Sequence, residues 1–245
     1  VRVQTQNFKD LIESSKNVIT VAHKQSDIDA LGAMIGVYRM AEASGIPAKM
    51  ICDPEEIDKT VQKIIPDLKV ESKDIYNSII TTKEALKLID EDTLLVVVDT
   101  QSPQIIASPQ VLKLASKVAV IDHHRQGEDA FEGVFLYVEP YASSSVELVV
   151  EMMGFYPKEV HLEQIEASIM YGGILVDTNE FSYRTGTRTF GAAGYLKEHQ
   201  ASSAKVKEWL RQDKERTLLI NELVSKVQMV KEGFGVVLDD SQLIR

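Results

Sequence analysis

Unbroken apolar runs constrain the fold of this 245-residue chain more than any other feature of its sequence. The segment TLLVVVD (93–99) carries large apolar side chains in succession rather than alternating them with polar ones, and NVITVAH (17–23) and KVAVID (117–122) have the same character. A strand that is apolar on both faces must be covered on both faces, as happens in a parallel sheet between layers of helices. The sequence therefore predicts an α/β fold, with a mainly parallel sheet and helices on both faces.

Helical patterns separate the predicted strands. Within 29–44, for example, apolar residues recur at the helical spacing, and Gly45 supplies a C-terminal stop. A short helix is expected before the first strand. The predicted strands are 17–23, 48–52, 93–99, 117–122 and 134–139. The predicted helices are 29–44, 54–65, 108–116, 144–153, 162–176, 186–198 and 204–230, the last of them interrupted near Asp213.

Charge and cysteine content exclude several classes of protein. The formal net charge of −10 argues against long nucleic-acid partners, since phosphate backbones are bound by Lys and Arg. A small anionic ligand stays compatible, because bound divalent cations reverse the potential of a pocket. Cys52 is the only cysteine, so there is no disulfide framework and a reducing compartment is expected, with Cys52 itself a core residue. The sequence shows neither an apolar run of membrane-spanning length nor a signal peptide.

Potential metal ligands follow three of the apolar strands. They are His23, Asp27 and Asp29 after the first strand, Asp99 at the end of 93–99, and Asp122, His123 and His124 at the end of 117–122. The carboxyl ends of parallel strands lie along one edge of the sheet, where ligands bind. One such Asp would be a turn residue and one such His a structural residue, but their coincidence at three strand ends favours a site. Gathered carboxylates repel one another unless cations neutralise them, so the sequence predicts a metal centre.

The donor types narrow the choice of metal. Imidazole and carboxylate without thiolate favour Mn²⁺, Co²⁺, Fe²⁺ or Mg²⁺ over a zinc ion held by cysteines. A ligand set of this size is large enough for two ions rather than one. Two ions about 3.5–4 Å apart, bridged by a carboxylate and a water, are suited to in-line attack at phosphorus.

Four segments resemble the ordered motifs of the DHH phosphoesterase superfamily, which is named for its Asp-His-His triplet. They are HKQSDIDALGAMIG, VVVDT, VIDHH and GGILVDTNEFSYRTGTRTF. Their order, context and spacing match over about residues 15–200. Within the superfamily, DTNEFSYRTGTRTFGAAGYLKEH and VKEWLRQD are most similar to the catalytic segment of GdpP-type cyclic-di-AMP phosphodiesterases.

The resemblance implies a role for each candidate residue. It implies that the first metal is bound by His23, Asp27 and Asp99, and the second by Asp29, Asp99, His123 and Asp177, with Asp99 bridging. The two implied catalytic residues are His124, which would contact a non-bridging phosphate oxygen, and Asp122, which would accept a ring proton and so fix an imidazole tautomer. Asp177 enters through the resemblance alone, because it ends a helical segment rather than a strand.

The segment YRTGTRTF places Arg184 and Arg188 at the start of a predicted helix, shortly after Asp177. Spare N–H groups at a helix N-terminus and two guanidinium groups would bind the phosphate of a substrate. The alternative is a simple helix cap with solvated arginines. The serines of ASSSVEL (142–148) likewise open a helix, and are interpreted as capping residues first and site residues second.

The resemblance implies a phosphoric diester hydrolase with two divalent metal ions, Mn²⁺ before others. The expected reaction is hydrolysis of the second messenger cyclic di-AMP to linear pApA, by two-metal activation of water. A nano-RNase or pAp phosphatase of the same superfamily, acting on short linear oligonucleotides, is the first alternative. A nucleotide-binding module with impaired catalysis is the second. A family II inorganic pyrophosphatase fits less well, because the segment YRTGTRTF resembles the GdpP-type phosphodiesterases instead.

The resemblance also implies a domain organisation. Residues 1–203 are expected to form the DHH catalytic domain, 204–232 a helical linker, and 233–245 the incomplete start of a C-terminal DHHA1-like substrate-binding domain. The superfamily's Gly-Gly-Gly-His-type motif does not occur, so we expect a truncated piece. The piece is expected in the cytoplasm, whereas a GdpP-type parent would be anchored by N-terminal membrane segments. A homodimer is a further expectation for this chain.

Overall fold

The computed structural model describes residues 1–127, 129–130, 132–211 and 214–237. It divides into two compact units, Val1–Trp209 and Leu210–Arg245. The strands of the first unit are β1 (Asn17–Val21), β2 (Ala48–Ile51), β3 (Ile79–Ile80), β4 (Thr93–Val98), β5 (Lys117–Asp122) and β6 (Phe135–Val138). The helices as far as Leu210 are α1 (Arg2–Glu13), α2 (Ile28–Ala43), α3 (Lys59–Glu71), α4 (Lys73–Ser78), α5 (Thr82–Leu88), α6 (Pro109–Leu114), α7 (Ser145–Gly154), α8 (Gln164–Asp177), α9 (Thr187–Glu198) and α10 (Ser203–Leu210).

The strands of the first unit form one sheet in the order β3-β2-β1-β4-β5-β6, and every neighbouring pair is parallel. On one face, the strands and the helices α5 and α6 share a buried cluster: Ile19, Val21, Ile51, Ala85, Leu95, Val97, Ile106 and Val111. On the other face, α2 lies against β1, β2 and β4, and α7 lies against β5. The predicted α/β fold, with a parallel sheet and helices on both faces, is confirmed.

The helices α2 and α8 pack against each other in opposite directions. Near the end of α2, buried Arg39 donates from Nε and Nη2 to the carboxylate oxygens of buried Glu166 in the first turn of α8, at 2.7 and 2.5 Å. Near the start of α2, Asp29 lies against Gly173 of α8. This pairing brings the N-terminus of α2 beside the C-terminus of α8, where Asp177 lies.

The helix predicted at 54–65 begins and ends later than expected, because α3 runs from Lys59 to Glu71. Its N-cap is Asp58, whose Oδ1 accepts a hydrogen bond from the Val61 N–H at 2.7 Å, so the acidic residues before Asp58 lie outside the helix. Pro66 lies inside the helix and does not end it. The next elements along the chain, α4, β3 and α5, were not predicted because each is too short to show a period.

The second unit contains α11 (Lys214–Ser225) and an antiparallel hairpin of β7 (Gln228–Lys231) and β8 (Phe234–Val236). The prediction of helix over 204–230 is therefore wrong at its end, and the predicted helical linker 204–232 includes a strand. Gly233, with a φ of +78°, supplies the left-handed backbone that the hairpin turn needs. The interruption expected near Asp213 lies outside the described residues. So does the part of the predicted C-terminal domain (233–245) that follows residue 237.

The helix α10 belongs to the first unit rather than to a linker. Its Val206 and Trp209 are buried, and Trp209 Nε1 donates to Asp67 Oδ2 at 2.8 Å. The first unit therefore extends to Trp209, past the predicted boundary at 203. The assignment of residues 233–245 to a substrate-binding domain stays a prediction.

The single cysteine is placed as its apolar context predicted. Cys52 is a free, buried thiol, and burial raises its pKa to about 12, as expected for an inert core residue. In the parts of the chain that the structure describes, no helix combines the length and the apolar character that crossing a bilayer would require.

Candidate metal centre

The strand order reverses direction between β1 and β4. The chain adds β2 and β3 on one side of β1 and then β4, β5 and β6 on the other. In open α/β sheets such a point leaves a crevice outside the carboxyl ends of the strands, where ligands bind. His23 lies just beyond β1 and Asp99 directly follows β4, so the topology brings these two side chains to the crevice.

Asp99 is at the centre of the site. Its backbone has a φ of +59°, which is uncommon for a residue other than glycine, and its N–H donates to the Ile121 carbonyl at 3.0 Å. Its buried carboxylate faces two imidazoles, with His23 Nε2 3.3 Å from Oδ2 and His123 Nε2 3.4 Å from Oδ1. Ser145 Oγ donates to the same Oδ1 at 2.9 Å. These contacts fix the Asp99 carboxylate between residues from three different parts of the chain.

His23, Asp27 and Asp99 form the first group of potential ligands, and their ligand atoms lie within 4.8 Å of one another. His23 Nδ1 lies 2.7 Å from the Lys24 carbonyl oxygen, so Nδ1 carries the proton and Nε2 faces Asp99. Asp27 is the N-cap of α2, and its Oδ1 accepts hydrogen bonds from the N–H groups of Asp29 and Ala30 at 2.9 and 3.1 Å. Both side chains are therefore oriented by the backbone beside them.

Asp29, His123 and Asp177 form the second group, again with ligand atoms within 4.8 Å of one another. Asp29 is fully buried, and its carboxylate accepts from the Ser145 and Val146 N–H groups at the start of α7, at 2.8 and 3.1 Å. His123 Nε2 lies 3.2 Å from Asp177 Oδ2. A third group, Asp99, His123 and His124, overlaps the other two. The structure therefore brings together all six residues that the sequence predicted as metal ligands.

Asp122 orients His124 rather than His123. His124 Nδ1 lies 2.7 Å from Asp122 Oδ1, and the His124 N–H donates to the same oxygen at 3.1 Å. Gln101 Nε2 donates to Asp122 Oδ2 and to the His124 carbonyl oxygen, both at 3.0 Å. Asp122 is buried whereas the His124 side chain is 55% exposed, so a buried carboxylate positions an imidazole that a ligand can reach.

Two carboxyl groups of the site have raised pKa values. Burial and the charge of Asp99 raise the pKa of Asp27 to about 6. Burial, with the charges of Asp99 and Asp177, raises the pKa of Asp29 well above its ordinary value. Asp99 itself goes the other way: although burial opposes its charge, hydrogen bonds with His123 and His23 hold its pKa below the ordinary value. The site therefore gathers more negative charge than it can hold without cations.

The imidazoles supply part of that positive charge when no metal is bound. Burial favours neutral imidazole, but the hydrogen bonds with Asp99 and the Lys24 carbonyl, together with the charges of Asp99 and Asp27, outweigh burial and raise the pKa of His23 to about 9. The hydrogen bonds of His123 with Asp177 and Asp99 likewise outweigh burial and raise its pKa to about 11. Protons on these rings take the place that divalent cations would fill.

The donor set fits divalent cations. It combines imidazole nitrogens with carboxylate oxygens, the ligands that borderline and hard ions such as Mn²⁺ accept. Asp99 and His123 each belong to two of the ligand groups, so neighbouring ions could share them. His123 Nδ1 is buried and has no hydrogen-bond partner among the described residues, which leaves Nε2 as the ring atom that contacts the carboxylates.

The two predicted phosphate-binding arginines differ in their contacts. Helix α9 begins at Thr187, one residue after the predicted start at 186. Arg188 Nε and Nη2 form a two-point contact with the Glu151 carboxylate at 2.7 and 2.6 Å, so its charge is already paired. Arg184 is exposed and has a φ of +49°. Both line one cleft with His124, and a role for either in phosphate binding stays a prediction.

Sequence reasoning missed a buried polar cluster beside the metal ligands. Buried Glu147 accepts through Oε2 from Ser143 Oγ at 2.5 Å and from Thr189 Oγ1 at 2.7 Å. Ser144 caps α7, as the sequence predicted, but Ser145 binds Asp29 and Asp99. The run of serines at the start of a helix was the available signal, and capping accounts for one of them.

Two adjoining clefts open onto the site. One, of about 820 Å³, is lined by His123, His124, Tyr141, Glu147, Arg184 and Arg188, among others. The second, of about 500 Å³, is lined by His23, Asp27, Asp99, Gln101 and Asp177, among others. His124 and Arg125 line both. A ligand in the larger cleft would therefore reach His123, a candidate metal ligand, and the neighbouring His124.

Known proteins are similar to this chain in sequence. The chain is 42% identical over 239 residues to the membrane protein–large ribosomal subunit bL9 fusion protein of Onion yellows phytoplasma (strain OY-M), covering 96% of this chain and 28% of that protein. It is 35% identical over 236 residues to the cyclic-di-AMP phosphodiesterase GdpP of Bacillus subtilis (strain 168), covering 96% of this chain and 36% of that protein. The chain thus spans about a third of the length of these curated relatives.

A solved structure has the same fold. It is an exopolyphosphatase-related protein from Bacteroides fragilis, with a TM-score of 0.77 and 20% sequence identity, covering 94% of this chain and 66% of that one. The family model described as "DHH family, N-terminal domain" matches residues 17–174, from β1 into α8. The chain therefore belongs to the DHH family.

Proposed function

We propose that the chain hydrolyses one phosphodiester bond of cyclic di-AMP and releases linear pApA. The observation that carries the proposal is the pair of ligand groups built on Asp99 and on His123, which the third group joins and which open onto a cleft. Such adjoining sites suit displacement at phosphorus, because two cations can stabilise both the attacking and the leaving oxygen. The substrate rests on the similarity to the GdpP relative, which extends over nearly the whole chain.

We assign one Mn²⁺ ion to each of the first two ligand groups. His23, Asp27 and Asp99 would hold the first, and Asp29, His123 and Asp177 would hold the second. Asp99, whose Oδ1 lies 3.4 Å from His123 Nε2, would be shared between them. When bound, the ions would supply positive charge and make a water acidic enough to attack at neutral pH. The oxygen of that water bonds to phosphorus while the bond from phosphorus to the 3′ oxygen breaks, and the 3′ oxygen takes up a proton.

His124 is the residue we assign to the phosphate oxygens. Its Nδ1 is engaged by Asp122, so Nε2 is the ring atom free to donate to a non-bridging oxygen. Because Gln101 also holds Asp122, the imidazole orientation is set before a substrate arrives. Arg184 lies along the same cleft and would add positive charge toward the second phosphate of the substrate, and Arg188 would do so on leaving its pair with Glu151.

The test is product analysis with Mn²⁺ and, separately, cyclic di-AMP and pApA. Faster conversion of cyclic di-AMP to pApA than of pApA to AMP would support the proposal. Faster cleavage of pApA would favour the nano-RNase alternative, in which short linear oligonucleotides are the substrates. If neither dinucleotide is cleaved while Mn²⁺ still binds, the chain by itself is not a phosphodiesterase, and the proposal fails for it.

A matched pair of variants separates the site from the fold. Asp99→Ala should abolish metal-dependent cleavage, because Asp99 belongs to two ligand groups. Asp92→Ala is the control, since Asp92 is an exposed carboxylate at the opposite end of the same strand. Titration with Mn²⁺ should show two binding events in the Asp92→Ala variant. A single event there would overturn the assignment of two ions.

A further inference from the structure

Tyr141 is an aromatic side chain that the fold leaves in solvent. It is 94% exposed, more than any other large apolar or aromatic residue in the described part of the chain. Single exposed apolar residues are ordinary on protein surfaces, but Tyr141 lines the larger cleft together with His123 and His124. None of the steps assigned to the metal ligands or to His124 uses it.

The loop that carries Tyr141 is fixed on its C-terminal side. The Ala142 N–H donates to the Glu139 carbonyl at 2.9 Å, and Ala142 and Ser143 are buried. Ser143 donates from both its N–H and its Oγ to the buried Glu147 carboxylate, at 3.2 and 2.5 Å. The ring is therefore presented to solvent by an anchored backbone, which lowers the entropy cost of using it as a contact.

The same cleft is lined by this ring and by groups that can bind phosphate. His124, Arg184 and Arg188 line it along with Tyr141, so it offers cationic or hydrogen-bonding groups and one exposed aromatic face. Its volume of about 820 Å³ lies within the range of about 300–1,000 Å³ typical of small-molecule sites. A nucleotide has the matching chemistry, a phosphate and a flat π-face. Stacking of a base on an aromatic side chain contributes about 1–3 kcal/mol.

We propose that Tyr141 is a stacking platform for the base of the nucleotide whose phosphate lies at His124. The proposal rests on the proposed function for the identity of the ligand as a nucleotide, and it adds a residue that determines binding through the base. The phenol ring supplies the contact, so its hydroxyl is dispensable. Tyr141 would set substrate affinity and leave metal binding and the chemical step unchanged.

The test compares AMP with ribose 5-phosphate, which has the same phosphate and sugar but no base. Binding of each to the Mn²⁺-loaded chain is measured by calorimetry for wild type, Tyr141→Ala, Tyr141→Phe and Tyr141→Trp. Tyr141→Ala should bind AMP about 5- to 150-fold more weakly and ribose 5-phosphate as wild type does. Tyr141→Phe and Tyr141→Trp should retain AMP binding, as should Phe155→Ala, which removes an exposed ring outside this cleft.

Equal weakening of both ligands in Tyr141→Ala would overturn the proposal, since the loss would then be unrelated to the base. Unchanged AMP binding in that variant, or no AMP binding by the wild type, would also overturn it. Hydrolysis of cyclic di-AMP is scored separately. If AMP binding depends on Tyr141 but the chain cleaves no diester, the proposed function is refuted and this inference stands. If the chain cleaves cyclic di-AMP but AMP binding does not depend on Tyr141, the inference alone is refuted.

Discussion

A Cβ atom on Gly173 would lie 2.8 Å from Cα and 2.8 Å from Oδ1 of Asp29. Real Cβ atoms essentially never come that close to backbone, so α8 can approach the first turn of α2 only with glycine at this position. The close approach places Asp29 where its carboxylate meets the start of α7 and shares a ligand group with Asp177. Helix packing thus sets the position of a metal ligand.

Gly173→Ala should therefore weaken metal binding. The added methyl group must displace Asp29 or push α8 away, and either movement separates Asp29 from Asp177. We expect Mn²⁺ affinity at the second site to fall about 10- to 100-fold, the range typical for loss of a group that positions a ligand. Calorimetric titration with Mn²⁺ measures this, and circular dichroism checks that the variant is folded.

Gly191→Ala is the matched control. Gly191 also lies within a helix, and nothing lies within 4 Å of the position its Cβ would take. Alanine there should leave Mn²⁺ affinity as in wild type and raise stability by about 0.5–1 kcal/mol, because glycine is the weaker helix former. Equal metal affinities in the two alanine variants would show that Gly173 does not position Asp29.

Asp122→Asn tests the role of the carboxylate that holds His124. The amide keeps the size of the side chain but removes the charge that fixes the imidazole. We expect kcat to fall about 10- to 100-fold while Mn²⁺ affinity stays that of wild type. Asp92→Asn, at an exposed position, should change neither. Loss of Mn²⁺ binding in Asp122→Asn would instead make Asp122 part of the metal centre.

The strands that carry the ligands were predictable because each is apolar on both faces. In TLLVVVD the apolar run leads directly into Asp99, and in KVAVID it leads into His123 and His124. A parallel sheet then places these ends on one edge, so the strand ends alone brought seven candidate residues together, and the family resemblance assigned five of them as metal ligands. Asp177 needed the family resemblance, since it reaches the site from the end of a helix.

The features that could not be predicted depend on contacts between residues far apart in the sequence, which no local sequence pattern indicates. Arg188 was predicted as a phosphate ligand, but Glu151, which pairs with it, lies 37 positions away. The left-handed backbone of Asp99 is held by the neighbouring strand. The two-residue strand β3 forms because β2 is beside it, not because of its own sequence. Such features follow from the assembled sheet, and only the structure shows them.

Arg39→Met should destabilise the fold strongly. Arg39 is the cation that neutralises buried Glu166, and it also meets Asp74 and Glu42 at 2.7 and 2.6 Å. Removing it leaves a buried carboxylate uncompensated, which costs about 3–5 kcal/mol. Urea unfolding followed by circular dichroism measures the change in the free energy of unfolding.

Glu42→Gln is the control within the same cluster. The Glu42 side chain is 48% exposed, so its pair with Arg39 is worth about 0–1 kcal/mol. The double variant of Arg39→Met with Glu166→Leu should recover much of the loss, because no buried charge is then left unpaired. If Arg39→Met lowers the free energy of unfolding no more than Glu42→Gln does, the ion pair of Arg39 with Glu166 does not stabilise the packing of α2 against α8.

Metal binding should strengthen as pH rises from about 6 to about 9. Burial lowers the pKa of both rings, but hydrogen bonds and the charges of nearby carboxylates together outweigh it and raise the pKa of His23 to about 9 and that of His123 to about 11 in the metal-free protein. Both rings therefore carry protons at neutral pH, and a metal must displace a proton from each ring it binds. Raising the pH removes that competition, so the sign of the effect is an increase in Mn²⁺ affinity.

Calorimetry at pH 7 in two buffers with different ionisation enthalpies measures the protons released. We expect release of more than one proton when both ions bind, and a smaller release from His23→Gln, which has no titrating ring at that position. His161→Gln is the control, since the His161 side chain is exposed and outside the ligand groups. An affinity independent of pH with no proton release would mean that the imidazoles are already neutral, and that the carboxylates alone do not hold them protonated.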